Sequence, residues 1–171
     1  MALKRPSLRA WVVGALVVAL AFTTTLAVRE WHRADHTQSR LSDRLTQMQN
    51  ARAAAGALAV ALYHYDYRNL AQAQRDIQRF ATGGFAQREA SQAAAVQAQL
   101  RKAKAVSTAG ITETTVSDLD GDQATAFVVL RTSASSNGGK PLTNIVYLHV
   151  HLQRVGAVWK VDDVQNLQAA G

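Results

Sequence analysis

Cysteine is absent from all 171 residues. Disulfide staples, thiolate catalysis and cysteine-ligated metals are thereby excluded, and any folded part must be held by an ordinary hydrophobic core. No acid precedes Glu30, and no charge of either sign falls between Ala10 and Val28. Proline is missing from residues 30–105, so nothing in that stretch forces a helix to break. Also missing are a phosphate-binding loop, a G-x-S-x-G elbow and an H-E-x-x-H pair, which leaves the commonest nucleotide, hydrolase and zinc-protease signatures without support.

What is present first is the uncharged run itself, AWVVGALVVALAFTTTLAV. As a helix it is roughly 28 Å long, about the thickness of a bilayer's hydrocarbon core. Lys4, Arg5 and Arg9 precede it and Arg29 follows it. The basic excess on the N-terminal side predicts residues 1–9 as a cytoplasmic tail and residues 10–28 as a transmembrane helix. Residues 29–40 then read as a stalk and residues 41–171 as an extracytoplasmic domain of a single-pass membrane protein. Arg9, Trp11, Arg29 and Trp31 are the expected interface anchors. The competing reading is a cleaved signal peptide, with Ala19 and Ala21 as the small pair a signal peptidase uses. The apolar run continues past that pair through Phe22, Leu26, Ala27 and Val28, which favours a retained anchor. Both readings put the bulk of the chain outside the cytoplasm.

The net charge of +7 loses its first meaning once this segment is set aside. Residues 30–171 carry fifteen basic and twelve acidic side chains. Nucleic-acid binding wants a basic stripe and a recognisable module, and neither is present. Residues 52–104 are locally basic, with Arg101, Lys102 and Lys104 clustered, a pattern that suits a solvated helix face.

Composition divides the remainder. Residues 30–105 are rich in Ala, Gln and Arg and read as helices; residues 106–165 turn to Val, Thr, Ile and aromatics and read as strands. The first helix is expected from about Ser39 to Tyr65, with Leu41, Leu45, Met48, Ala55, Ala59 and Leu62 on one stripe that Arg52 interrupts. That stripe suits either a stalk pairing with another helix or the core face of a domain helix. Asn69 can cap a second helix with its side chain, Leu70, Ala73, Ile77, Phe80 and Ala81 line its face, and Gly83-Gly84 ends it. A third, alanine-rich helix follows from about Ala86 to Ala105 and suits close packing. Four strands are expected at about Val106–Leu119 (bent near Ala109-Gly110), Ala124–Thr132, Asn144–Val155 and Ala157–Val164. The expected fold class is α+β: about three helices on a four-stranded antiparallel curved sheet.

The stretch ALYHYDYRNLAQAQRDIQRFATGGF over residues 61–85 resembles the Mce-associated membrane proteins of actinobacteria. The matching features are Tyr65-Asp66-Tyr67, Phe80-Ala81-Thr82-Gly83 with Phe85, and the strand Val155-Gly156-Ala157-Val158-Trp159-Lys160-Val161. The resemblance spans roughly residues 10–165. It implies a cone-like fold similar to nuclear transport factor two and to the external domains of VirB-type secretion assembly factors. It implies a non-catalytic role accompanying Mce-type lipid-import machinery, with the bilayer and transporter subunits or other envelope proteins as partners. It brings no catalytic residue, cofactor or metal.

Three clusters can be weighed for chemistry of their own. Counting from Asp118, a calcium loop requires Gly at position six and Glu at position twelve; Gln123 and Val129 stand there, so Asp118–Asp122 reads as a turn. His149 and His151 alternate with Leu148, Val150 and Leu152, so both imidazoles share one sheet face with Tyr147. Two imidazoles can ligate a metal, but a zinc site needs a third ligand that the sequence does not identify; the other reading is a half-covered polar face. Tyr63-His64-Tyr65-Asp66-Tyr67-Arg68 is the densest group of functional side chains, with Tyr63, Tyr65, Asp66 and Tyr67 as its candidate pocket or structural motif. A tyrosine donor beside a buried Asp can polarise a carbonyl, as in ketosteroid isomerases of this fold class. The structural alternative has Asp66 accepting backbone amides at a helix end. Two functions stand: an envelope assembly protein, and a pocket-bearing domain that binds or transforms a small apolar ligand. The anchor and the heptad-like first helix also allow self-association.

Overall fold

The computed structural model describes residues 40–167. The span 10–28, its anchors Arg9, Trp11, Arg29 and Trp31, and nearly all of the stalk lie outside the described residues. Among the described residues no helix is long and apolar enough to cross a membrane. The chain divides into two compact units, residues 1–45 and 46–171. Of the first, residues 40–45 are described; they are helical, with Leu41 and Leu45 largely exposed.

The second unit opens with helix α1 over residues 46–63. There follow β1 (Tyr65–Asp66), α2 (Leu70–Phe80), α3 (Gly83–Lys102), β2 (Val106–Asp120), β3 (Gln123–Ser135), β4 (Leu142–Val155) and β5 (Val158–Asn166). The strands form one sheet in chain order, every pair antiparallel. This is the expected α+β arrangement with one strand more. The addition, β1, is two residues long and pairs Tyr65 with Ser107 and Asp66 with Val106. No alternation can announce so short a strand; it exists because the chain leaving α1 meets the start of β2.

The sheet's two faces follow from period-two patterning. On β3, Ala124, Ala126, Val128, Leu130 and Thr132 are buried; on β4, Val146, Leu148, Val150 and Leu152; on β5, Trp159 and Val161. Register shifts lie between Ile111 and Glu113 and between Val116 and Asp118 on β2, and beside His151 where β4 meets β5. Such bulges add bend and twist. They stand further along β2 than the expected bend at Ala109-Gly110, where the ladder is regular.

Helix α1 supplies the opposing half of the core. Ala51, Ala54, Ala55, Leu58 and Ala59 are buried with the inner sheet residues in one cluster. The buried stripe keeps Ala55 and Ala59 of the expected one, with Leu62 packed against the cluster, and adds Ala51, Ala54 and Leu58, while Leu41 and Leu45 are exposed. It runs through Ala51 and Leu58 and leaves Arg52 exposed, which avoids burying a charge without a partner. Gly56 lets the helix sit close to β2: a Cβ there would stand 2.8 Å from Ile111 Cδ1.

The helix junctions differ from expectation in two places. Asn69 occupies the N-cap of α2, but its side chain makes no capping bond. Gly83-Gly84 does not end α2; it forms the first turn of α3, and α2 stops at Ala81, whose backbone is extended. The cap is Thr82. Its hydroxyl accepts from Phe85 N–H at 3.4 Å and donates to Asp162 Oδ1 at 2.8 Å, while its own N–H donates to Val161 O at 2.7 Å. Ala81 also forms a parallel bridge with Val161. One buried threonine thus starts a helix and ties it to an edge strand. Thr82→Ala is expected to cost about 1–2 kcal/mol by loss of cap and hydrogen bond, with Thr82→Ser retaining most of it. Urea unfolding followed by circular dichroism reads this; equal midpoints for Ala and Thr would contradict it.

Candidate functional site

The four aromatic and acidic residues singled out at the end of α1 point to three different places. Tyr63, half-buried, has its phenol oxygen 3.3 Å from the Asn166 amide, which donates to it from the end of β5. Burial raises the Tyr63 phenol above its ordinary range, and the Asn166 bond acts in the opposite direction. Tyr65 belongs to β1 and lines a cleft among the helices. Asp66 closes β1, and Tyr67 and Arg68 form the turn toward α2, with Tyr67 N–H donating to Ala105 O at 3.0 Å.

Asp66 is engaged by Arg68 rather than by a tyrosine. Its carboxylate accepts Arg68 N–H at 2.9 Å and Arg68 Nε at 3.0 Å, and the Arg68 guanidinium lies 5.4 Å from the Tyr67 ring centre. The Arg68 hydrogen bonds hold the Asp66 carboxyl below the usual aspartate range. Because the folded value is the lower one, the pair's contribution is present above the unfolded value of about 3.9 and is lost as pH falls through the folded value. The pair is exposed, so its effect on stability is small. The sharper readout is the Asp66 carboxyl resonance: it titrates below ordinary aspartate in the parent and moves up toward the ordinary range in Arg68→Ala, which removes the side-chain bonds and keeps the backbone one. An unmoved titration would refute the pairing.

The concave face of the sheet is packed by the chain's own side chains. Leu58, Leu130, Leu148, Val128, Val150 and Val161 are all essentially inaccessible. A ligand cavity between α1 and the inner sheet would need the space these residues fill.

Open space lies instead among the helices. A cleft of about 130 Å³ is bounded by α1, α2 and α3, with Tyr65, Leu70, Gln74, Ile77, Val96 and Leu100 in its walls. The alanine-rich α3 was expected to pack closely; its short side chains leave this gap, and Val96 is about half exposed. Among the described residues Gln74 Nε2 is buried without a hydrogen-bond partner, an arrangement that costs stability. Sequence reasoning missed Gln74 because a glutamine among many on a polar helix carries no special signal.

The outward face of the sheet is the other accessible surface. Cross-strand pairs there are Phe127 with His149, Val129 with Tyr147 and Thr125 with His151. His149, His151 and Tyr147 share this face as the alternation predicts. Phe127 and Tyr147 are each more than two-fifths exposed. Asp120-Gly121-Asp122 forms the tight β2–β3 turn, Gly121 at φ +55°, and Asp122 accepts from Arg154 Nε at 2.7 Å. Among the described residues no group of three or more His, Cys, Asp or Glu is placed to hold a metal ion.

No family model and no curated protein matches the chain in sequence. Solved structures do match in shape. An IcmL-like type IV secretion system protein from Legionella pneumophila superposes with a TM-score of 0.56 at 17% identity, covering 67% of this chain and 88% of that one. A periplasmic fragment of TraM gives 0.56 at 12% identity, covering 69% and 95%. The chain shares the fold of these domains. CagV, a VirB8 homolog of the type IV secretion system from Helicobacter pylori, agrees, with a TM-score of 0.52 at 12% identity over 67% and 94%. The expected likeness to VirB-type external domains is met at the level of fold.

Proposed function

We propose that the protein is a non-catalytic assembly factor of the cell envelope, held by residues 10–28 and presenting the domain of residues 41–171 outside the cytoplasm. The observation that supports this most is the fold shared with the periplasmic TraM fragment and with type IV secretion proteins, joined to an interior filled by its own side chains. The sequence resemblance adds a finer reading: the partners are subunits of an Mce-type lipid-import complex, which this protein accompanies or stabilises. Arg9, Trp11, Arg29 and Trp31 then set the anchor in the bilayer, and Tyr63, Tyr65, Asp66 and Tyr67 are structural. The test is crosslinking in intact cells, followed by affinity purification in detergent and identification of the companions. Recovery of lipid-transport subunits supports the finer reading. Recovery of other envelope subunits supports assembly alone. A clean, companionless protein contradicts both.

The second reading, a small apolar ligand, is favoured by one feature, the cleft with its unpartnered Gln74 amide. There an alkyl chain would lie along Ile77, Val96 and Leu100, in the cleft that Gln74 also lines. An alkyl probe should bind the parent and bind Val96→Trp, which fills the cleft, much more weakly; equal binding would dismiss this site.

A further inference from the structure

We propose that His149 and His151 form a two-imidazole site for a late first-row divalent metal ion, Cu2+ most tightly, on the outward face of β4. The proposal is independent of the assembly reading. Residues two apart on a strand share a face, and the structure brings these rings together edge to face with centroids 4.6 Å apart. Phe127, opposite on β3, lies 4.8 Å from the His149 ring and fixes where that ring can lie. Both imidazoles are half-exposed, and neither makes a hydrogen bond among the described residues. Their nitrogens are therefore available. Imidazole pairs suit Cu, Ni and Zn, and affinity rises toward Cu2+ across the series.

The surroundings limit the site to two protein donors. Asp163 stands directly across from His151, but Arg88 lies 3.6 Å from one of its oxygens and Gln165 donates to the other at 3.3 Å. Beside His151 an open polar cavity of about 370 Å³ is walled by Gln123, Thr125, Gln153 and Asp163. Water or an outside ligand fills the remaining coordination positions there. This is consistent with the lack of a three-residue cluster among the described residues and makes the site open and exchangeable rather than structural.

The experiment uses the full chain in detergent micelles with His32 and His36 replaced by alanine, leaving His64 as a lone-imidazole control. Titration with Cu2+ alone should show one chelated ion per chain. His149→Ala or His151→Ala should each weaken it on the order of a hundredfold, because the second bond of a chelate forms at high effective concentration. Unchanged affinity in both variants overturns the proposal. A second measurement leaves the rings intact: added Zn2+ should shift the imidazole resonances of His149 and His151 together. Movement of one alone, or of neither, also overturns it.

Discussion

Leu58→Ala is expected to destabilise the domain by about 3–4 kcal/mol, in the middle of the range for a buried leucine. Leu58 is fully buried at the centre of the face that α1 turns to the sheet. The cost of such a truncation depends on how far neighbours can move into the void. Here the flanking buried positions on the helix are Ala51, Ala54, Ala55 and Ala59, whose side chains have no torsion with which to reach across. The inner sheet residues opposite are Val128, Leu130, Leu148 and Val150, β-branched or held in the ladder. The cavity therefore stays open. Against a usual domain stability of about 5–15 kcal/mol the loss is large, and urea unfolding reads it directly. Val96→Ala in the exposed cleft wall serves as the contrast, with an expected change within about 0.5 kcal/mol. A Leu58→Ala loss under about 1 kcal/mol would mean that the interior collapses freely, and the packed-interior argument against a central ligand cavity would fall with it.

Strands were the most legible part of the chain. A switch to Val, Thr, Ile and aromatics, with turn-like clusters between, marked β2 to β5 to within about three residues. The turns at Gly121 and Gly156, both with positive φ, punctuated them. The helix ends were misread for physical reasons. Gly83-Gly84 has the composition of a stop, yet a buried threonine just before it supplies an N-cap, and glycine is tolerated in a first turn. On α1 the stripe was right at Ala55 and Ala59 and misread at Leu41 and Leu45, which carry much weight in a hydrophobic pattern but are exposed, while Ala51, Ala54 and Leu58 complete the buried face. Leu58 and its alanine neighbours matter through close approach to the sheet, a property of the fold.

The candidate site was less legible. Tyr63, Tyr65, Asp66 and Tyr67 are adjacent in sequence, but a helix end, a two-residue strand and a turn aim them at different neighbours. Their closeness along the chain suggested a constellation that the backbone does not build. His149 and His151, by contrast, were placed correctly by strand periodicity alone, because two residues apart on a strand is a geometric statement. The helical cleft around Gln74 had no local signature, since it arises from the failure of α3's alanines to fill space.

Trp159→Ala is the other substitution with a large expected effect, about 3–5 kcal/mol. Trp159 is 3% exposed although β5 is an edge strand. Its ring belongs to the core cluster, which also holds Ala81, Phe85 and Val161, and it shares the inner face of β5 with Val161, two residues on, the residue that the α2–α3 junction meets. The backbone joins the same elements at the same place, through Thr82 N–H to Val161 O at 2.7 Å and the Ala81–Val161 bridge. Removing the indole takes away the apolar surface that lets those polar bonds form out of water. The cost of Trp159→Ala and the cost of Thr82→Ala should therefore not add: residues that share one packed junction couple by about 0.5–3 kcal/mol. With the indole gone, the threonine bonds are more exposed to solvent and Thr82→Ala should cost less than in the parent. Trp159→Phe should restore most of the stability, since an aromatic ring still fills much of the space. A double variant whose loss equals the sum of the single losses would show that the edge strand is held by packing and by the cap independently. The motif running from Val155 to Val161 would then be a strand with a buried tryptophan rather than one half of a joint.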